Sequence, residues 1–145
     1  MKLSINQSPT IAETEIIINC SNITPELKSI IERIRTLDYT VNGAKDDTWY
    51  KIPIEKILYF DSVDGKTFIY CTNECYEAKS KLYELEEQLA NMSFLRIRKN
   101  TVINLRALKS TKVMELSRME ITMKNDEHLI VTRHYLNDFK NAFGL

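Results

Sequence analysis

Between Glu87 and Glu115 the chain runs for 27 residues without a carboxylate, and six of those positions are basic: Arg96, Arg98, Lys99, Arg106, Lys109 and Lys112. Cations without nearby counter-charges are what a polyanion such as a nucleic-acid backbone requires. Within the run, Lys99-Asn100-Thr101 adds an amide able to pair with adenine and a hydroxyl suited to phosphate. Charge runs also line ordinary solvated strand faces, so the pattern leaves both readings standing. A second concentration is Arg133-His134, just after Thr132, where a short C-terminal helical pattern begins. Cations at a helix start oppose the macrodipole by about 0.3–1 kcal/mol each. A bound anion would offset that penalty, and so would an internal ion pair. The third place is weaker: Asp64-Gly65-Lys66-Thr67 puts one cation on a hairpin tip.

No other chemistry assembles. The chain lacks a glycine-rich phosphate loop, a zinc-type histidine pair and a nucleophile elbow, so no catalytic residue is expected. Cys71-x-x-x-Cys75 could offer two metal ligands, but His128 and His134 lie far from it in sequence, and zinc normally takes four ligands. Neither a metal nor a cofactor is expected. Three cysteines form no disulfide framework and suit reduced thiols in a cytoplasm. Residues 1–9 lack the apolar run of a secretory signal. Ile16-Ile17-Ile18 is far too short for a membrane span, which takes roughly 20 apolar residues. Twenty basic residues balance twenty acidic ones, which excludes a protein that coats nucleic acid by bulk charge but not one with a local patch. A hydrophobic fraction of 43% with only 3 Gly and 3 Pro excludes a disordered or collagen-like chain.

These cations must be held by the elements around them. Residues 1–47 read as a small strand–strand–helix unit, with strands at Lys2–Asn6 and Glu15–Cys20. Thr24-Pro25-Glu26 supplies a cap, a first-turn proline and a first-turn acid. Leu27, Ile30, Ile31, Ile34 and Leu37 then follow at helical spacing. Asn42-Gly43 and Asp46-Asp47 mark the loop that ends the unit. Residues 48–145 read as mainly β. Strands are expected at Trp49–Ile52, Ile57–Asp61, Thr67–Cys71 and Cys75–Lys79, with Asp64-Gly65 as a two-residue turn. A helix from about Ser80 to Asn91 buries Leu82, Leu85 and Leu89. Strands Phe94–Arg98 and Thr101–Ile103 follow, then a meander of Lys112–Ser117, Glu120–Lys124 and His128–Val131. Alternation along Phe94–Arg98 sends Leu95 and Ile97 to one face and Arg96 and Arg98 to the other. A C-terminal helix capped by Thr132 turns Leu136, Phe139 and Phe143 inward.

Four segments carry a resemblance: Ile57-Leu58-Tyr59-Phe60-Asp61-Ser62, Leu82-Tyr83-Glu84-Leu85-Glu86-Glu87-Gln88-Leu89, Phe94 through Leu105, and Val131-Thr132-Arg133-His134-Tyr135. In order and spacing, residues from about Trp49 to Leu145 resemble the LytTR-type DNA-binding domain of bacterial transcription regulators. The resemblance implies an elongated fold of packed β-sheets with little helix, which inserts loops into successive major grooves. Carried over by position, the DNA-facing residues are Lys66 and Thr67, Arg98, Lys99 and Asn100, and Arg133 and His134, with base contacts on Lys99 and His134. Many relatives carry arginine where this chain has His134, and imidazole cannot present arginine's two-pronged fork to guanine. Asn104 is assigned to structure, as cap of the short turn after it. A receiver domain with an aspartyl phosphorylation pocket often precedes this module. Forty-seven residues are too few for one, so the small N-terminal unit is expected to pack on the domain or to pair two copies.

The expected function is sequence-specific binding of double-stranded DNA with repeated half-sites, by a homodimeric regulator that does not insert into membranes. Two other classes remain open. A β-module could read single-stranded RNA by stacking on Tyr59, Phe60, Phe68 and Tyr70. A protein-interaction module could use the acidic helix around Glu84–Glu87 and no nucleic acid.

Overall fold

The computed structural model describes residues 1–145. Helix α1 spans Pro25–Thr36 and starts as its sequence dictates: Thr24 Oγ1 accepts from the Leu27 amide at 3.2 Å, and Pro25 takes the first position, where no amide hydrogen is needed. The rest is mainly β. Ten strands follow the order β1 (Thr40–Lys45), β2 (Thr48–Pro53), β3 (Ile57–Val63), β4 (Lys66–Cys71), β5 (Cys75–Ala78), β6 (Phe94–Arg98), β7 (Thr101–Asn104), β8 (Leu108–Met114), β9 (Arg118–Met123) and β10 (His128–Val131). Helix α2 (Leu82–Gln88) lies between β5 and β6, and α3 (Leu136–Phe143) closes the chain. No helix is long and apolar enough to cross a membrane.

Seven strands form one antiparallel sheet in the order β2-β1-β5-β4-β3-β7-β6, and β10-β9-β8 form a second. The large sheet lies between two cores. On one side Leu82, Leu85 and Leu89 of α2 pack with Ile57, Phe60, Ile69, Phe94 and Val102. Val41 and Ile52 of the β1–β2 hairpin join that core, so both edges of the sheet contribute to it. On the other side Leu58, Tyr59, Ile97 and Ile103 meet Met119, Ile121, Met123, Leu129 and Val131 of the second sheet and Phe139 of α3. Neighbouring residues of one strand thus serve opposite cores, as in Val102 and Ile103, which is the two-residue period of a sheet buried on both faces.

Several elements differ from the sequence-based expectation. Lys2–Asn6 and Glu15–Cys20 form no strand. An isolated pair of short strands is marginal in water without a sheet or helix to pack on. Asn42-Gly43, expected in the loop that ends the N-terminal unit, lies within β1. Asp46 and Asp47 (φ 51° and 62°) are the two-residue turn of the β1–β2 hairpin. Gly43 sits mid-strand because a Cβ there would fall 2.7 Å from Ile52 Cδ1 and 2.9 Å from Tyr76 Cβ. Helix α2 is shorter than the expected 80–91, and β8 begins at Leu108 rather than Lys112. Residues 115–117 are its turn to β9, with Leu116 and Ser117 at positive φ. Phe139 is fully buried, whereas Phe143 remains 42% exposed at the end of α3.

A polar contact between side chains ties the two sheets together. Tyr59 of β3 stacks on Tyr70 (centroids 4.6 Å apart), and its hydroxyl donates to Glu127 Oε2 at 2.6 Å. Burial, and then this bond, push the Tyr59 hydroxyl above its ordinary value of 10.0. The unfolded chain ionises near that ordinary value and the folded chain does not. The contribution of Tyr59 is therefore intact below about pH 10 and lost as pH rises from there. Tyr59→Phe is expected to cost about 1–2 kcal/mol at neutral pH through the lost bond to a carboxylate. It should also flatten the alkaline decline of stability, part of which belongs to Tyr70, likewise raised by burial. Urea melts from pH 7 to 11 check both; an unchanged alkaline slope would remove Tyr59 from this role.

Candidate nucleic-acid interface

Connectivity brings the three cationic segments to one end of the molecule. Asp64 and Gly65 (φ 51° and 78°) form the two-residue turn joining β3 to β4, flanked by the pair Val63 and Lys66. Both positive φ angles match the mirror-image turn that hairpins favour. β7 runs antiparallel to β3 with Thr101 opposite Asp61, and the Ser62 amide donates to the Asn100 carbonyl at 2.8 Å. The β6–β7 tip, Lys99-Asn100, therefore projects from the same end of the sheet as Lys66. The third segment docks beside them. The Thr132 amide and hydroxyl donate to the Ile97 carbonyl at 3.0 and 3.4 Å, holding Arg133 next to the end of β6.

Lys66, Lys99 and Arg133 are exposed, and none has an acid within 4.0 Å. Most of the acid-free run behaves otherwise. Arg96 pairs with Glu86 of α2 at 3.5 Å, Arg98 with Asp61 at 4.0 Å, Arg106 with Glu32 of α1 at 3.9 Å, and Lys109 with Asp126 at 2.7 Å. Distant elements thus supply the counter-charges that the local sequence lacks, leaving only Lys99 and Lys112 of the six without one.

Arg98 corrects the alternation argument. A β-bulge between Arg96 and Arg98 sets Arg96 opposite Val102 but Arg98 opposite Thr101. The extra residue turns Arg98 to the Ile103 side of the sheet, away from Arg96. There its Nε donates to Thr101 Oγ1 at 2.7 Å, and Thr101 in turn donates to Asp61 Oδ1 at 2.7 Å. The guanidinium is committed to holding the tip. Thr67 also departs from its expected role, because its side chain is only 4% exposed and cannot meet a ligand at the surface. Asn100 is half-buried, and its amide donates to the Ser62 carbonyl at 3.4 Å, linking neighbouring tips.

The C-terminal segment differs as well. Arg133–Tyr135 is a single 3₁₀ turn ahead of α3, and the Thr132 hydroxyl bonds Ile97 and caps nothing. The cations therefore sit in a 3₁₀ turn that runs directly into α3, not within the α-helix itself. His134 is exposed and meets the Tyr135 ring edge-on with centroids 4.8 Å apart. Asn104 is structural, as expected: its Oδ1 accepts from the Arg106 amide at 3.0 Å and its Nδ2 donates to the Ile57 carbonyl at 2.9 Å.

One cation escapes a reading of the sequence. Lys81, just before α2, is exposed, and its Nζ donates to the Gly65 carbonyl at 3.3 Å on the β3–β4 tip. No acid lies within ion-pair distance of it. It stands outside the acid-free run, beside three acids of the next helix region, Glu84, Glu86 and Glu87, and the doublet Lys79-Ser80-Lys81 is its only local signal.

Comparison with known proteins decides what this end belongs to. The profile of the LytTR family, described as the LytTr DNA-binding domain, matches residues 47–144. The chain belongs to the LytTR family. Among solved structures it is similar to the LytTr DNA-binding domain of a Bacillus cereus protein, with a TM-score of 0.70 and 25% identity. That match covers 74% of this chain and 99% of the other. Along the whole LytTR chain it is similar to uncharacterised HTH-type transcriptional regulators of Staphylococcus aureus. The identity is 24% for strain bovine RF122 / ET3-1, over 100% of this chain and 99% of the relative, and 23% for strain MRSA252 over the same shares. Their names invoke a helix–turn–helix, yet strands separate α1, α2 and α3 here, so no helix pair of that kind exists in this LytTR chain. It carries a DNA-binding domain of the kind found in transcription regulators.

Proposed function

We propose that this protein regulates transcription by binding double-stranded DNA sequence-specifically, through loops at one end of its β-domain that enter the major groove. The observation that carries the reading is the convergence of exposed, unpaired Lys66, Lys99 and Arg133 from three separate parts of the chain, with Lys81 beside them. Phosphate neutralisation by Lys66, Lys99 and Arg133 supplies most of the affinity and sets the orientation, while Lys99 also reaches bases and His134 reads them. A single small domain offers few base contacts, so the site is a pair of repeated half-sites bound by two copies, and the regulator works in the cytoplasm. Residues Arg98 and Thr67 hold the tips rather than touch DNA. The single-stranded RNA reading is disfavoured by the aromatic residues it needs: Phe60 is fully buried, Tyr59 is 7% exposed, and Phe68 and Tyr70 are half-buried. The acidic helix is also engaged, with Glu84 accepting from the Lys81 amide at 3.0 Å and Glu86 pairing with Arg96.

Selection from a random duplex library, followed by sequencing, tests the reading; enrichment of a repeated motif supports it, and retention of single-stranded RNA in preference to duplex sinks it. His134→Arg is expected to alter that motif, because arginine can fork to guanine O6 and N7 where imidazole makes at most one such bond. The variant should prefer guanine at one position of each half-site, by about 1–3 kcal/mol over the other bases. An identical motif for both proteins would show that His134 reads no base.

A further inference from the structure

Strand register sets further cations level with the β3–β4 tip. Lys66 and Phe68 alternate onto one face of β4, Phe68 lies opposite Glu77 of β5, and Lys79 follows Glu77 by two residues. Glu77 in turn lies opposite Ala44 of β1. The Lys79 amide donates to the Asn42 carbonyl at 3.4 Å, and Asn42 lies opposite Lys51 of β2. Lys66, Lys79, Asn42 and Lys51 therefore make one row across four strands, on one face of the large sheet and at the end where β3 turns into β4. An open cavity of about 400 Å³, lined by Asn42, Trp49, Tyr50, Lys51 and Lys79, brings the outer members of the row together.

The row has the chemistry of a polyanion contact. Lys51 and Lys79 are exposed and have no acid within 4.0 Å. The nearest acids by register and by chain, Glu77 in the next row and Glu84 of α2, pair with neither of them. Asn42 is exposed and its amide can donate to phosphate. Trp49, opposite Ala44 in the row with Glu77, is 61% exposed on the edge strand, and its indole N–H can only donate. Three strand spacings, about 14 Å in all, separate Lys66 from Lys51, and the major groove is about 12 Å wide. A row of that length reaches the backbone bordering a groove that the Lys66 tip enters.

We propose that Lys79, Asn42 and Lys51, with Trp49 beside them, are a second part of the DNA surface, which grips the phosphodiester backbone alongside the groove that the tips enter. The proposal rests on the DNA reading and carries it sideways from the loops to the edge of the large sheet. Part of this surface, Asn42 of β1, lies outside the residues 47–144 that match the family. Contacts to phosphate and sugar supply affinity and orientation without reading sequence. The row therefore lengthens the duplex that each copy covers and leaves the choice of bases to the tips.

Anisotropy titrations of the full chain with a random-sequence duplex several helical turns long test it. Lys51→Ala with Lys79→Ala should flatten the slope of log affinity against log salt by about 1.8, which amounts to roughly 30-fold weaker binding near physiological salt. Lys28→Ala with Arg35→Ala is the control for bulk charge. It removes two exposed, unpaired cations from α1, which Ser93 before β6 and Arg106 after β7 hold at the other end of those strands from Lys99. Its slope should equal that of wild type. Trp49 is the single tryptophan of the chain and gives a readout independent of affinity: acrylamide should quench its fluorescence in the free protein and lose that access in the complex. A wild-type slope for Lys51→Ala with Lys79→Ala, an equal loss in the α1 control, or Trp49 quenched as fully in the complex as outside it would each overturn the proposal. If the wild type binds duplex and only the tip variants weaken it, the row falls and the DNA reading survives; if the wild type binds no duplex, both fall.

Discussion

Replacing Lys66, Lys99 and Arg133 together by alanine is expected to weaken duplex DNA binding by roughly 100-fold near physiological salt, with the fold intact. The magnitude follows from counterion release. Each neutralised phosphate adds about 0.9 to the slope of log affinity against log salt concentration. Removing three such cations therefore flattens the slope by about 2.7, and between 1 M and about 0.15 M salt this amounts to roughly two decades. Stability should hardly move, because the three side chains are exposed and satisfy no acid in the fold. Anisotropy titrations at four salt concentrations read both quantities. Lys81→Ala provides an internal comparison, since its ammonium already donates to the Gly65 carbonyl. It should flatten the slope by no more than a single phosphate would, about 0.9. A triple variant whose titrations overlay the wild type at every salt concentration would dismiss the cationic tips as the DNA surface.

What is legible in the sequence is what depends on near neighbours. The cap Thr24-Pro25, the turn Asp64-Gly65 and the strand Phe94–Arg98 all form where their composition places them, because each is decided within a few residues. The tips Lys66 and Lys99 are legible for the same reason. The misreadings share a different cause. Gly43 reads as a loop residue, but it is glycine because Ile52 and Tyr76 crowd the strand from other elements. The acid-free run reads as a cationic strip, but Glu32, Asp61, Glu86 and Asp126 arrive from four distant places to pair with it. Alternation puts Arg98 on the wrong face because a bulge, invisible to a two-residue period, inserts one residue before it. Lys81 gives little signal beyond the doublet with Lys79, because its partner at the tip is sixteen positions away. Local rules locate turns and caps; the identity of a free cation is a property of the tertiary structure.

That distinction makes Asp61 and Arg98 the residues on which the interface is best dissected. Thr101, fully buried, accepts from Arg98 Nε and donates to Asp61 Oδ1, both at 2.7 Å, with the guanidinium 4.0 Å from the carboxylate. Asp61→Ala removes the acceptor of a buried hydroxyl and the counter-charge of a partly covered arginine. An unsatisfied buried group costs about 1–3 kcal/mol. Arg98 and Asp61 retain side-chain exposures of 30% and 16%, so water screens part of the ionic loss and the cost falls short of that for a fully buried pair. About 2 kcal/mol of destabilisation is expected, read as a lower urea midpoint. Arg98→Ala should cost less, because the Thr101–Asp61 bond survives it. Its effect on DNA is the sharper result. A guanidinium committed to Thr101 and Asp61 touches no phosphate, so the salt slope of Arg98→Ala should equal that of wild type, whereas Lys99→Ala, one residue on, should flatten it by about 0.9. Equal slopes for these two variants would place Arg98 on the DNA and return it to the contact set; unequal slopes assign it to holding Lys99 in position.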